Sequence, residues 1–164
     1  MKKLVIIRHA KSDRNSEVEN DHDRPLSARG FSDAPLMGKW LAANSYFPDA
    51  VISSTALRAR QTCSIICEAV HFNPEAVYFT PDFYFGEISK IIKMLQSLGR
   101  EHDVVFIFGH NPTFSLLANV LCPDFETDMP TCGIAVAAFD TNDWNNIGAG
   151  KGQLEAFVYP KKIR

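Results

Sequence analysis

The sequence predicts an α/β layered domain, a central sheet with helices packed on it. Three observations carry this expectation. Short, β-branched apolar runs alternate along the chain with stretches whose apolar residues recur at helical spacing. Hydrophobic residues make up 46% of the 164 residues, and a chain of this length buries about two-thirds of its unfolded surface. No linker-like or repeated segment interrupts the alternation, so one domain is expected over residues 1–164.

Each element follows from local pattern. Lys3–Ile7 is a short β-branched run with no polar face, which suits a central strand. Ser12–Arg24 is polar and aperiodic and reads as a loop. Phe31–Ala43 carries Leu36, Trp40 and Leu41 at helical spacing; Pro35 lies inside it, and Ser27 or Ser32 can supply its N-cap. Ala50–Ile52 is a second buried strand, and Ala56–Val70 a second helix with Leu57, Ile65, Ile66 and Ala69 inward. Tyr78–Phe79 is a short strand. Glu87–Leu98 is a helix with Ile88, Ile91, Ile92 and Leu95 on one face, ended by Gly99. Val104–Phe108, the most apolar strand, runs into Gly109-His110-Asn111-Pro112 and the helix Thr113–Leu121. Ile134–Phe139 and Leu154–Val158 are late strands on either side of the Asn/Gly-rich turn Asn142–Gly152.

Charge and composition exclude several classes. A net charge of -2 offers no overall field to draw nucleic acid or an anionic membrane. No apolar run approaches the roughly 20 residues that span a bilayer. The segment Met1–Ile7 imitates a signal peptide, but its apolar stretch stops at Arg8-His9, short of the roughly 7–15 residues a secretory segment needs. The cytoplasm is therefore the expected compartment. Cys63, Cys67, Cys122 and Cys132 have neither C-x-x-C nor zinc-ligand spacing. Cys63 and Cys67 share a helix face and read as small buried hydrophobes. The expected state is a monomer without metal or cofactor.

Chemistry gathers at three strand ends. The first strand ends in Arg8-His9, the second in Ser53-Ser54 ahead of Arg58, and the most apolar one in Gly109-His110. In open α/β sheets the ligand crevice lies beyond the carboxyl ends of the strands. Two arginines and two histidines can converge there, with no cluster of Asp or Glu. Arginine forks match phosphate oxygens, and a neutral imidazole serves as nucleophile, base or donor. Each signal alone has an ordinary explanation: a structural histidine, a solvated arginine on a helix face, a plain turn glycine.

Taken in order, these segments resemble the histidine phosphatase superfamily. Arg8-His9-Ala10-Lys11-Ser12 is similar to its R-H-G/A signature. Ser53-Ser54-Thr55-Ala56-Leu57-Arg58-Ala59-Arg60-Gln61-Thr62 resembles S-S-x-x-x-R-A-x-Q-T, and Gly109-His110-Asn111-Pro112 its G-H-N-P. Asp23–Gly30 followed by Asp33-Ala34-Pro35 is similar to the SixA-type phosphohistidine phosphatase branch. The resemblance implies a phosphoglycerate mutase-like fold, a three-layer α/β/α sandwich with a mostly parallel central sheet. It implies that His9 attacks phosphorus, that Arg8, Arg58 and His110 bind the phosphoryl oxygens, and that Asn15 adds a phosphate contact. Ser12 either joins them or caps its loop. Short segments between motifs imply an open site, which suits phosphohistidine on a protein; a small phosphorylated molecule is the alternative substrate, and a phosphate-binding module without turnover the alternative class. Glu87, just after Tyr84-Phe85-Gly86, is the candidate general acid, although an acid there equally complements a helix dipole.

Overall fold

The computed structural model describes residues 1–164. Strand β1 (Lys2–Arg8) leads through helix α1 (Ala28–Ala43) to β2 (Ala50–Ser54), then α2 (Leu57–Ala69), β3 (Tyr78–Thr80) and α3 (Ile88–Gln96). Strand β4 (Val104–Gly109), helix α4 (Thr113–Leu121), strands β5 (Ile134–Phe139) and β6 (Gln153–Val158) and a short terminal turn of helix, α5 (Pro160–Ile163), complete the chain. The six strands form one sheet in the order β3-β2-β4-β1-β5-β6. The three pairings from β3 to β1 are parallel; β5 is antiparallel to β1 and to β6. The sheet is thus mostly parallel, as expected.

Helices cover both faces. Leu4, Ile6, Ile52, Val105 and Ile107 pack on one side with α3 and α4; Val5, Ile7, Val51, Phe106 and Phe108 pack on the other with α1 and α2. The two apolar clusters hold 20 and 19 buried residues, so neither face of β1 or β4 is left to solvent. That is why these strands read as continuous apolar runs rather than alternating ones. No helix is long and apolar enough to cross a membrane.

Several local expectations are corrected. Helix α1 starts three residues before the periodic stretch, because the Ser27 side chain accepts from Gly30 N (3.2 Å) and caps it. Pro35 stays inside the helix; Ala34, Met37 and Leu41 around it are fully buried, and their packing outweighs the lost hydrogen bond. Helix α3 begins after Glu87, its N-cap residue, and closes at Ser97 rather than at Gly99. The loop 12–24 is partly ordered, with a bridge between Ser12 and Leu26 and a 3-10 turn at Asp21–Asp23.

Candidate active site

Register brings the two histidines together. Arg8 pairs with Gly109 across β1 and β4, so the residue after each strand is a histidine and the two rings lie side by side, 5.1 Å between centroids. The backbone at His9 is tied on three sides: His9 N donates to Gly109 O (3.0 Å), Cys132 N donates to His9 O (2.9 Å), and Ala10 N donates to Thr62 Oγ1 of α2 (3.0 Å). Gly109 is needed because a Cβ there would overlap the Phe114 ring of α4. It therefore does more than turn the chain.

Arg8 and Arg58 complete the floor of a cavity of about 730 Å³ that His9 and His110 also line. Arg8 Nη1 donates to Met129 O (2.9 Å). Arg58, in the first turn of α2 and 3% exposed, gives Nη1 to Asp21 O (2.8 Å) and Nη2 to Asp21 Oδ2 (3.0 Å). Three buried nitrogens have no protein partner: Arg8 Nε, Arg58 Nε and His110 Nδ1. Leaving a buried polar group unsatisfied costs about 1–3 kcal/mol. All three belong to side chains that line the cavity, and the cations of Arg8, Lys11, Arg14, Arg24 and Arg58 around it, against the single carboxylate of Asp21, suit an anion with several acceptor oxygens.

Both histidines are held neutral. Burial lowers the His9 pKa most, to about 3, with Arg58, Arg8 and Arg24 adding to it; the hydrogen bond to Ala10 O acts the other way. Desolvation is thus a larger cause than the neighbouring arginine charges. His110 is lowered by burial first, then by His9 and Arg58. His9 Nδ1 lies 2.6 Å from Ala10 O, and the neutral ring can only donate there. The lone pair is then on Nε2, the arrangement of a nucleophile with its second nitrogen fixed by a carbonyl. His110 Nε2 is 2.8 Å from the Ser54 hydroxyl, which accepts from Ala56 N and so has its own proton to give to Nε2; the neutral ring then carries its N–H on Nδ1.

The loop expected at Ser12–Arg24 supplies one wall. The Asp21 carboxylate accepts from Tyr84 OH (2.7 Å), Arg24 Nη2 (2.7 Å) and Arg58 Nη2. Burial works against its charge, but these hydrogen bonds and the Arg58 charge hold it well below the usual carboxylate range. Arg24 in turn donates to Ser12 Oγ, so Ser12 lines the cavity. Lys11, Arg14, Tyr84, Phe85, Asn111 and Thr131 also line it. Asn111 stands in the G-H-N-P segment but was not singled out there; Asp21 had no signal beyond its nearness to Asp23-Arg24.

Two sequence candidates lie elsewhere. Asn15 is exposed and outside the cavity; its backbone N–H donates to Asp13 Oδ1 (2.9 Å). Glu87 is exposed at the N-terminus of α3 and does not line the cavity either. The structure therefore gathers Arg8, His9, Arg58 and His110 and leaves Asn15 and Glu87 out. Arg58→Ala and His110→Ala should each lower kcat/KM by about tenfold to a hundredfold, the worth of one charge-assisted hydrogen bond made in the transition state. Steady-state kinetics on folded variants checks this; near-normal values would place the residue outside the chemistry.

A family model, Histidine phosphatase superfamily (branch 1), matches residues 4–94. An uncharacterised protein of Mycobacterium tuberculosis is 35% identical over 166 residues, covering 94% of this chain and all of the relative. Phosphohistidine phosphatase SixA of Escherichia coli is 28% identical over 140 residues, 84% of this chain and 85% of the relative. The solved structure of the protein histidine phosphatase SixA complexed with tungstate superposes with a TM-score of 0.85 at 25% identity, over 99% of both chains.

Proposed function

Because this chain belongs to the histidine phosphatase superfamily, we propose that it removes phosphate from phosphohistidine on a protein, through a phosphorylated His9 and without a metal. The observation that carries this is the meeting, in one cavity, of a neutral His9 with the guanidinium groups of Arg8 and Arg58 and the ring of His110. In this reading His9 Nε2 attacks phosphorus. The new N–P bond forms as the substrate's P–N bond breaks, and that electron pair stays with the substrate imidazole, which leaves neutral once its ring carries a proton from solvent. Water then attacks the phosphorylated His9, releasing inorganic phosphate and restoring the neutral ring. Arg8, Arg58 and His110 hold the three phosphoryl oxygens, on which the charge of the transition state is spread.

The choice of leaving group rests on acids. An imidazole, with pKa near 6.5, leaves readily when protonated, whereas an alkoxide needs a strong general acid. Asp21 is the one carboxylate lining the cavity, and its arginine and tyrosine partners keep it ionised, unable to give up a proton. The similarity to phosphohistidine phosphatase SixA supports the same choice. The four buried free cysteines accord with a reducing compartment, and we place the enzyme in the cytoplasm as a monomer.

A panel of phosphohistidine protein, phosphoimidazole, phenyl phosphate and glycerol phosphate, each with and without chelator, tests the reading. The nitrogen-linked substrates should lead in kcat/KM, and chelator should change nothing. A lead for glycerol phosphate would establish a small-molecule phosphomonoesterase instead. Glu87→Gln should leave the ranking of substrates intact and cost about 0.3–1 kcal/mol of stability, the worth of an acid at a helix N-terminus. A hundredfold loss confined to alkyl phosphates would make Glu87 the proton donor after all.

A further inference from the structure

The mouth of the cavity carries an aromatic side chain that neither packing nor the phosphoryl-binding groups explain. Phe85 is 58% exposed, whereas His9 on the floor is 7% exposed. Its backbone is left-handed, with φ of 63°, a conformation costing a bulky residue about 1–2 kcal/mol. A chain that places an apolar ring in water on a strained backbone forgoes stability twice. The turn is nevertheless firmly built: Asp82 N donates to Thr80 Oγ1 (3.1 Å), Tyr84 N donates to Pro81 O (2.9 Å), and Gly86 lies so close to the Asp82 carbonyl that no Cβ fits. The Phe85 ring stands 4.5 Å from Tyr84 and 5.8 Å from His110, centroid to centroid. Tyr84 is itself fixed by its hydroxyl on Asp21.

We propose that Phe85, backed by Tyr84, selects the leaving group by stacking on a planar ring. In-line displacement puts the leaving group across phosphorus from the buried His9, on the open side of the cavity, and Phe85 is the exposed aromatic among the residues that line it. A phosphohistidine imidazole or a phenol presents a flat π face there; an alkyl chain does not. This inference rests on the phosphohistidine reading and names the residue that would enforce it.

The test is the ratio of kcat/KM for phosphoimidazole to that for methyl phosphate, in the wild-type chain and its variants. Phe85→Ala and Phe85→Leu should each lower the ratio about three- to tenfold, the worth of one aromatic pair. Phe85→Tyr should restore it, and Phe31→Ala, an exposed aromatic on α1, should not move it. An unchanged ratio in Phe85→Ala, or a ratio kept by leucine, would overturn the proposal. A wild-type preference for methyl phosphate would instead sink the phosphohistidine reading, and the two failures are told apart by which chain shows them.

Discussion

His9→Ala should abolish turnover, with a loss of at least about four orders of magnitude, as removal of a covalent nucleophile does elsewhere. The expectation comes from geometry more than from residue type. The ring is buried, its Nδ1 is engaged by Ala10 O, and burial keeps the free nitrogen unprotonated at neutral pH. The other imidazole in the cavity, His110, has its Nε2 engaged by the Ser54 hydroxyl. Brief incubation of the wild-type chain with labelled phosphoimidazole, followed by denaturation, should therefore trap label that survives alkali and is lost in acid. The His9→Ala chain, checked for folding by circular dichroism, should retain none. Label or turnover at wild-type levels in that variant would move the nucleophile elsewhere.

Stability should fall steeply between pH 7 and pH 5. Unfolded histidines accept protons near pH 6.5, but His9 in the folded chain stays neutral to about pH 3, and His110 is lowered too. Below pH 6.5 the unfolded state thus binds protons that the native state refuses, and stability rises with pH across that window. The full contribution is present above pH 6.5 and shrinks as the pH falls toward 3. Each histidine should cost up to about 2 kcal/mol between pH 7 and pH 5. Asp21, whose pKa is depressed, adds a loss of the same sign only below the ordinary carboxylate range near pH 4. The two effects therefore separate by pH. Urea unfolding at pH 7, 6 and 5 reads the first, and His110→Gln should flatten the slope by about half. A flat profile in the wild-type chain would mean that the histidines take up protons without unfolding.

Strand ends were legible because their signals are local. An apolar run stops, Arg8-His9 or Gly109-His110 follows, and the open-sheet rule says where such ends lead. Loops carried no such guide. Asp21 reaches Arg58 across 37 residues and Tyr84 across 63, and nothing near Asp21 in the chain announces either partner. Glu87 shows the complementary limit: it stands close to Tyr84 in sequence, but the turn at Phe85-Gly86 leaves it at the exposed start of α3. Lys2 shows the same limit within a strand. It lies outside the run Lys3–Ile7 read as the first strand, yet it opens β1, is buried and donates to Arg100 O, His102 O and Asp103.

By itself, then, the sequence determined the alternation of strands and helices, the two-sided burial of β1 and β4, and the four residues Arg8, His9, Arg58 and His110. Those follow from periodicity and motif, which act over a few residues. Only the tertiary structure decided that Asp21 clasps Arg58, that three donors remain without partners, and that Phe85 stands at the mouth. These depend on parallel register and loop packing, which join residues far apart in the chain. Desolvation belongs with them. A histidine is neutral or charged according to what surrounds it, and the chain's order does not state the surroundings.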